Sequence, residues 1–291
     1  MTIKKNYILI IILLILIYLA YHFFYHPTVK RHFITVTPPV NFIVFGDSLS
    51  DMGNREDAPY TSNGGKVWAV YLAQAFGGTM TPSNQGGNDW AIGGDETGTS
   101  QYQSNDDGGV VGQVTQYLQL VNNQADPNSV YIVWAGGNDF LHYFEKAASF
   151  EPPDSVYNNA VNNLQQVLDK LHQAGATQLV ILNLPLLGDA PFGNKPFLQG
   201  KVNAVSDKFN QDLQTRINSL NYPIELIDVA GDMQQVYDHP EQYGFVNVTD
   251  MCEDNSACNP ETWMFWDQIH PTDGGHQAIA KDLGQYFKAA S

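Results

Sequence analysis

Two hydrophobic periods take turns along this chain. Asn41-Phe42-Ile43-Val44-Phe45, Val130-Tyr131-Ile132-Val133-Trp134, Leu179-Val180-Ile181-Leu182-Asn183-Leu184 and Ile224-Glu225-Leu226-Ile227-Asp228-Val229 are short runs rich in β-branched and aromatic residues. Such runs predict buried strands. Trp90-Ala91-Ile92 predicts a shorter strand, set in residues 83–112, a stretch rich in Gly, Asn, Asp, Ser and Gln that reads as a solvated loop. Between the runs, apolar residues recur at helical spacing. They include Val67 to Ala73; Val114, Tyr117, Leu118 and Val121; Val156 to Leu171; and Val202, Val205, Phe209 and Leu213. A last helix is expected over 273–290, and Thr37-Pro38-Pro39 reads as a short linker.

Strands alternating with helices predict an α/β fold with a parallel sheet covered on both faces. Five strands suit a flavodoxin-like, doubly wound order. No internal repeat or second domain emerges, so one domain is expected over residues 40–291.

Residues 1–32 read as a separate object. Lys4 and Lys5 precede an almost wholly aliphatic run from Tyr7 to Ala20, which has the charged and apolar regions of an export signal. Counted on to Phe24 the run is 18 residues long, near the minimum for a membrane span. Tyr18 makes a poor cleavage site, so an uncleaved anchor through residues 7–24 stands as the alternative to a cleaved signal. Either reading places the domain outside the cytoplasm, secreted, periplasmic or held at the membrane.

Charge supports this picture. The chain carries −16, and residues 1–32 contribute four basic side chains and no acid, which leaves −20 on the remainder. Such a body repels nucleic acid and anionic membrane surfaces. The only cysteines, Cys252 and Cys258, can close a small loop in an oxidising compartment. A zinc site is not expected, because no C-x-x-C pair is present.

The chemistry concentrates in four blocks. Gly46-Asp47-Ser48-Leu49-Ser50 leaves the first strand run, where open α/β sheets place their reaction sites. Trp90-Ala91-Ile92-Gly93-Gly94-Asp95 and Gly136-Gly137-Asn138-Asp139 follow, and Asp267-Gln268-Ile269-His270-Pro271-Thr272 lies far downstream. Ser48, Asp267 and His270 make a complete set for serine-based acyl transfer. Position 50 is serine where Gly-x-Ser-x-Gly needs glycine, so the nucleophile elbow of the α/β-hydrolases is not expected.

These blocks resemble the GDSL family of lipases and esterases, the SGNH hydrolases. Ser62-Asn63-Gly64-Gly65-Lys66-Val67-Trp68 resembles a further segment of that family. The resemblance covers roughly residues 41–290 and implies the flavodoxin-like SGNH fold. It implies Ser48 as nucleophile, His270 as base and Asp267 as its orienter. An oxyanion hole is implied from the Ser48 amide, the Gly94 amide (with Gly93 as neighbour) and the Asn138 side chain. No cofactor and no metal is implied. Asp47, Asp51, Asn54 and Asp139 are expected to hold the serine turn through backbone bonds. Within the family, the Phe45–Asp51 and Phe265–Thr272 segments, with the two cysteines ahead of them, look most like the secreted phospholipase A, lysophospholipase and glycerophospholipid–cholesterol acyltransferase branch.

The leading expectation is therefore an exported enzyme that releases fatty acid from phospholipid or lysophospholipid. It would touch a membrane surface transiently, bind no nucleic acid and act as a monomer. Acyl transfer to a second alcohol is the same chemistry. A short-chain esterase that removes acetyl groups from sugars is the alternative enzyme, and an inactive binding protein on a hydrolase scaffold the alternative of another class. Trp134, Phe140, Tyr143, Phe144, Trp263 and Phe265 are expected in an acyl pocket or in the core. Loops 95–112 and 186–200 are candidate lids.

Overall fold

A computed structural model describes residues 33–99, 108–253 and 255–290. The expected leader at 1–32 and the centre of the 95–112 loop lie outside the described residues.

The sheet is built from β2 (Phe42–Gly46), β3 (Val130–Trp134), β4 (Gln178–Leu182) and β5 (Glu225–Ile227), all parallel and in that order. Phe45 lies opposite Val133, Ile132 opposite Val180, and Ile181 opposite Leu226. Beyond β2, the segment at Trp90 runs parallel to it without forming a regular strand. Val44 pairs with Asp89, the Trp90 amide donates to the Val44 carbonyl at 2.8 Å, and the Ile92 amide donates to the Gly46 carbonyl at 3.1 Å. Counting this segment, the order is the flavodoxin-like one. It stays rudimentary because its Gly- and Asn-rich flanks give the backbone little reason to remain extended.

The two faces follow from the strand period of two. Phe42, Val44, Val130, Ile132, Trp134, Val180 and Leu182 point into one apolar core. It is closed by α1 (Trp68–Ala75), α6 (Val229–Asp238) and α8 (Asp273–Gly284). Ile43, Phe45, Tyr131, Val133, Leu179 and Ile181 point into the other. That face is covered by α2 (Gly109–Leu120), α3 (Gly137–Ala147), α4 (Asp154–Gln173) and α5 (Gln199–Asn218). Double coverage is why the strands read as unbroken apolar runs.

The carboxyl terminus departs from expectation. The last helix stops at Gly284, and β8 (Phe287–Ala289) pairs in parallel with β1 (Ile34–Val36). Phe287 is buried edge-on against Phe42 and Phe76, with ring centroids 5.4 and 5.8 Å away. Phe287 continues the helical spacing of Ile279 and Leu283, so local periodicity cannot reveal that a strand from the other end of the domain captures it. A short α7 (Pro240–Tyr243) precedes β6 (Asn247–Met251) and β7 (Trp263–Phe265), a small pair that the sequence reading did not anticipate. Cys252 and Cys258 sit in the loop between them with Cα atoms 5.2 Å apart and their sulfurs in contact.

Candidate active site

Ser48 stands on the turn that ends β2. The turn forms because Asp47 works twice: its carbonyl accepts from the Ser50 and Asp51 amides, each at 3.0 Å, and its carboxylate accepts from the Leu49 amide at 3.1 Å. A Cβ at Gly46 would run into the Trp134 carbonyl, so only glycine lets the strand end pack this closely. Burial pushes the Asp47 carboxyl up to about 6.

His270 reaches the turn from a loop 222 residues away, with its Nε2 2.8 Å from Ser48 Oγ. Its Nδ1 lies 2.7 Å from one oxygen of Asp267, and the other oxygen of Asp267 accepts the Ile269 and His270 amides, each at 2.8 Å. The three-residue spacing thus makes a turn closed by its own carboxylate. An ionised carboxylate only accepts, so Nδ1 carries the proton and the lone pair of Nε2 faces the Ser48 hydroxyl. Burial raises the Asp267 carboxyl. The imidazole hydrogen bond, the imidazole charge and the two amides outweigh it, and Asp267 ends below the usual carboxylate range. The Tyr60 ring lies against the imidazole at 5.1 Å, and Thr61 Oγ1 donates to the Pro271 carbonyl at 3.0 Å.

The three expected oxyanion donors converge unequally. Asn138 stands in the first turn of α3, and its Nδ2 donates one hydrogen to the Asp95 carbonyl at 3.0 Å. Its second hydrogen remains for a ligand, and Asn138 lines the same slot as Ser48. The Gly93 amide is committed to Asp51 at 2.7 Å, which removes Gly93 as a donor. Gly94 adopts φ +81°, a left-handed conformation that favours glycine, and it is not among the residues lining the slot.

Acidic and amide side chains hold these pieces together. Asp51 accepts the Gly53, Asn54 and Gly93 amides at 2.6 to 2.7 Å. Asn54 donates to the Asp89 and Ala91 carbonyls, both at 2.9 Å. Asp139 takes the Thr97 amide and hydroxyl at 3.0 and 2.7 Å, and burial pushes it up to about 7.

Three contributors escaped the sequence reading. Gln113 accepts from the Gly46 amide at 3.0 Å and donates to the Gly46 carbonyl at 2.7 Å and to Asp95 at 2.8 Å, so it clamps the first block to the second. Its signal was a polar residue on the apolar stripe of α2, between Val110 and Val114. Asp89 takes the Met52 and Ala91 amides at 2.8 and 3.1 Å. His276, fully buried in α8, accepts the Trp68 amide at 3.2 Å, and burial lowers its pKa to about 3.

An apolar slot opens beside Ser48 and His270, lined by Trp134, Leu184, Leu186, Met233, Tyr237 and Phe265. Only Trp134 and Phe265 of the six expected aromatics line it. Phe140 and Phe144 belong to the core on the opposite sheet face, where Phe140 meets Phe209 edge-on at 5.5 Å. Leu186, Leu187 and Ala190 from the 186–200 segment form part of the slot wall, and that segment is tied to the histidine loop by the Phe192 amide donating to the Gln268 carbonyl at 2.9 Å.

A nucleophile, its base and an orienting carboxylate therefore face an apolar slot, an arrangement equipped to attack an acyl carbonyl. Comparison with known proteins gives the same direction. The family model described as GDSL-like lipase/acylhydrolase matches residues 42–283. The thermolabile hemolysin of Vibrio parahaemolyticus is 27% identical across 90% of this chain and 67% of its own length. The phosphatidylcholine-sterol acyltransferase of Aeromonas hydrophila is 22% identical across 85% of this chain and 90% of its own. A Pseudomonas putida protein is 28% identical across 86% of this chain, which spans about half, 49%, of that relative. Among solved structures, an acetylxylan esterase from Geobacillus stearothermophilus superposes with a TM-score of 0.52, covering 87% of this chain and 96% of its own at 12% identity. That last likeness is one of fold alone.

Proposed function

The chain belongs to the GDSL-like lipase/acylhydrolase family, and from that membership we propose that it hydrolyses lipid acyl esters as a lysophospholipase or phospholipase A. The observation that carries this reading is the apolar slot opening directly onto Ser48 and His270. His270 takes the Ser48 proton as the oxygen attacks the acyl carbonyl. The Ser48 amide and Asn138, both lining the slot, receive the negative oxygen, and the Gly94 amide is the third donor that the family resemblance implies. His270 then returns its proton to the departing alcohol, and water releases the fatty acid by the reverse sequence. An alcohol in place of that water gives acyl transfer.

Phe197 supports contact with a lipid aggregate. It is 98% exposed, and it lies on the segment tethered to the histidine loop. An exported location, by cleaved signal or by anchor, fits the expected leader and a Cys252–Cys258 disulfide. The second reading is a short-chain acetyl esterase, which needs the same nucleophile, base and oxyanion donors and a shorter acyl space.

The test is fatty-acid release from lysophosphatidylcholine by the full chain, with Ser48→Ala alongside. Release lost by about 10⁶-fold in turnover in the variant is the expected result. Untouched lysolipid together with Ser48-dependent cleavage of p-nitrophenyl acetate would replace the lipid reading with the acetyl esterase.

A further inference from the structure

The wall of the slot is thin at one place, with a small hollow behind it that has room for about one water. This second cavity is lined by Val229, Val236, Met264, Ala278 and Leu283, with Asp232 and Asp282 also on its wall. Two residues line both spaces: Met233 from α6 and Ile279 from α8. Both are buried, at 6% and 5% exposure, so they form the partition between the cavities. The partition stands away from the chemistry. Ile279 is six residues into a helix that starts three residues after His270, about 9 Å along its axis at 1.5 Å per residue.

We propose that Met233 and Ile279 set the acyl-chain length this site accepts. The proposal rests on the acyl-ester reading of the slot. A chain bonded at its carbonyl to Ser48 runs down the slot until it meets this pair. The two members differ in stiffness. Ile279 is β-branched, and its rotamer is fixed by the helix. Met233 is unbranched, with a thioether that swings at little cost. Met233 is thus the movable half of the wall, and Ile279 the fixed half. Moving Met233 aside joins the slot to the second cavity and lengthens the space open to a chain. No motif in the sequence marks either residue. They meet only because α6 and α8 pack side by side on one sheet face.

The experiment compares kcat/KM across p-nitrophenyl esters from acetate to palmitate, for the full chain and its variants. Each variant is read by its own long-to-short ratio, so a general loss of activity does not enter. Each methylene moved from water into the enlarged cavity is worth about fourfold. Met233→Ala should therefore raise the ratio by about tenfold or more, and Met233→Phe should lower it. Ile279→Val, a mild change, should raise it slightly. The same ratio in wild type, Met233→Ala and Met233→Phe would overturn the proposal, whatever wild type does with lysolipid. The lipid reading itself would fail by a different result. Wild type would cleave acetate alone and leave lysophosphatidylcholine intact, and a gain of longer esters in Met233→Ala would then still support the partition. Where Met233→Ala does not fold, the opposite shifts of Met233→Phe and Ile279→Val decide.

Discussion

The serine side and the histidine side of the site are held by different physics. The Ser48 turn is embedded. Asp51, Asp89 and Gln113 are buried and tie the serine turn to the second block: Asp51 and Asp89 through amides at 52–53 and at 91 and 93, Gln113 through the Gly46 backbone and the Asp95 carboxylate. On the histidine side the aim is local: Asp267 closes its own turn and orients the ring, while backbone bonds at its edges, from the Phe192 amide to the Gln268 carbonyl and from Thr61 to the Pro271 carbonyl, dock that turn on its neighbours. The difference teaches where error is tolerated. The nucleophile is fixed by long-range bonds that belong to the fold. The base is aimed by a carboxylate three residues away, within one local turn.

The largest test falls on the histidine side. In Asp267→Asn the amide oxygen stays with the Ile269 and His270 amides, so the NH2 faces Nδ1. Nδ1 must then accept, the proton moves to Nε2, and the base is lost in the wrong tautomer. A fall in kcat of about 10³–10⁴ is expected, with little change in thermal stability. Unchanged turnover would show that the turn does not set the tautomer. On the serine side, Gln113→Leu should do both kinds of damage. It strips partners from the Gly46 amide and carbonyl, at a cost of about 1–3 kcal/mol in stability, and lets the serine turn drift, lowering kcat. A lower melting temperature with intact kcat would mean that the clamp serves the fold alone.

The smallest effect concerns His276, which supports α1 from beneath. Its pKa falls to about 3 on folding, from 6.5. Between those values the unfolded chain binds more protons than the native one, so stability is fully present above about 6.5 and declines as pH drops toward 3. His276→Asn keeps an acceptor for the Trp68 amide and removes the titration. Its stability should therefore fall less steeply across that window in denaturant melts at several pH values.

Much of this was legible in the chain because its causes are local. A strand covered on both faces must be apolar at every position, so β2, β3 and β4 announced themselves. The Asp267–His270 turn is written in four consecutive residues. The carboxylates around Ser48 could be read as backbone anchors because Asp and Asn beside glycine close turns. Other features have remote causes. The strand at Phe287–Ala289 exists only because Ile34–Val36 lies beside it, and helical spacing there pointed the wrong way. Phe140 and Phe144 adjoin a motif in sequence yet face the opposite core, because α3 turns them away from the slot.

The sequence by itself determined the α/β alternation, the four blocks and their order, since each rests on residue type and short-range spacing. Only the tertiary structure decided that Gln113 joins two blocks and that Gly93 is spent on Asp51. It alone brought Met233 and Ile279 together as a wall. These depend on which side chains meet across helices and strands far apart in the chain, and packing, not periodicity, fixes that.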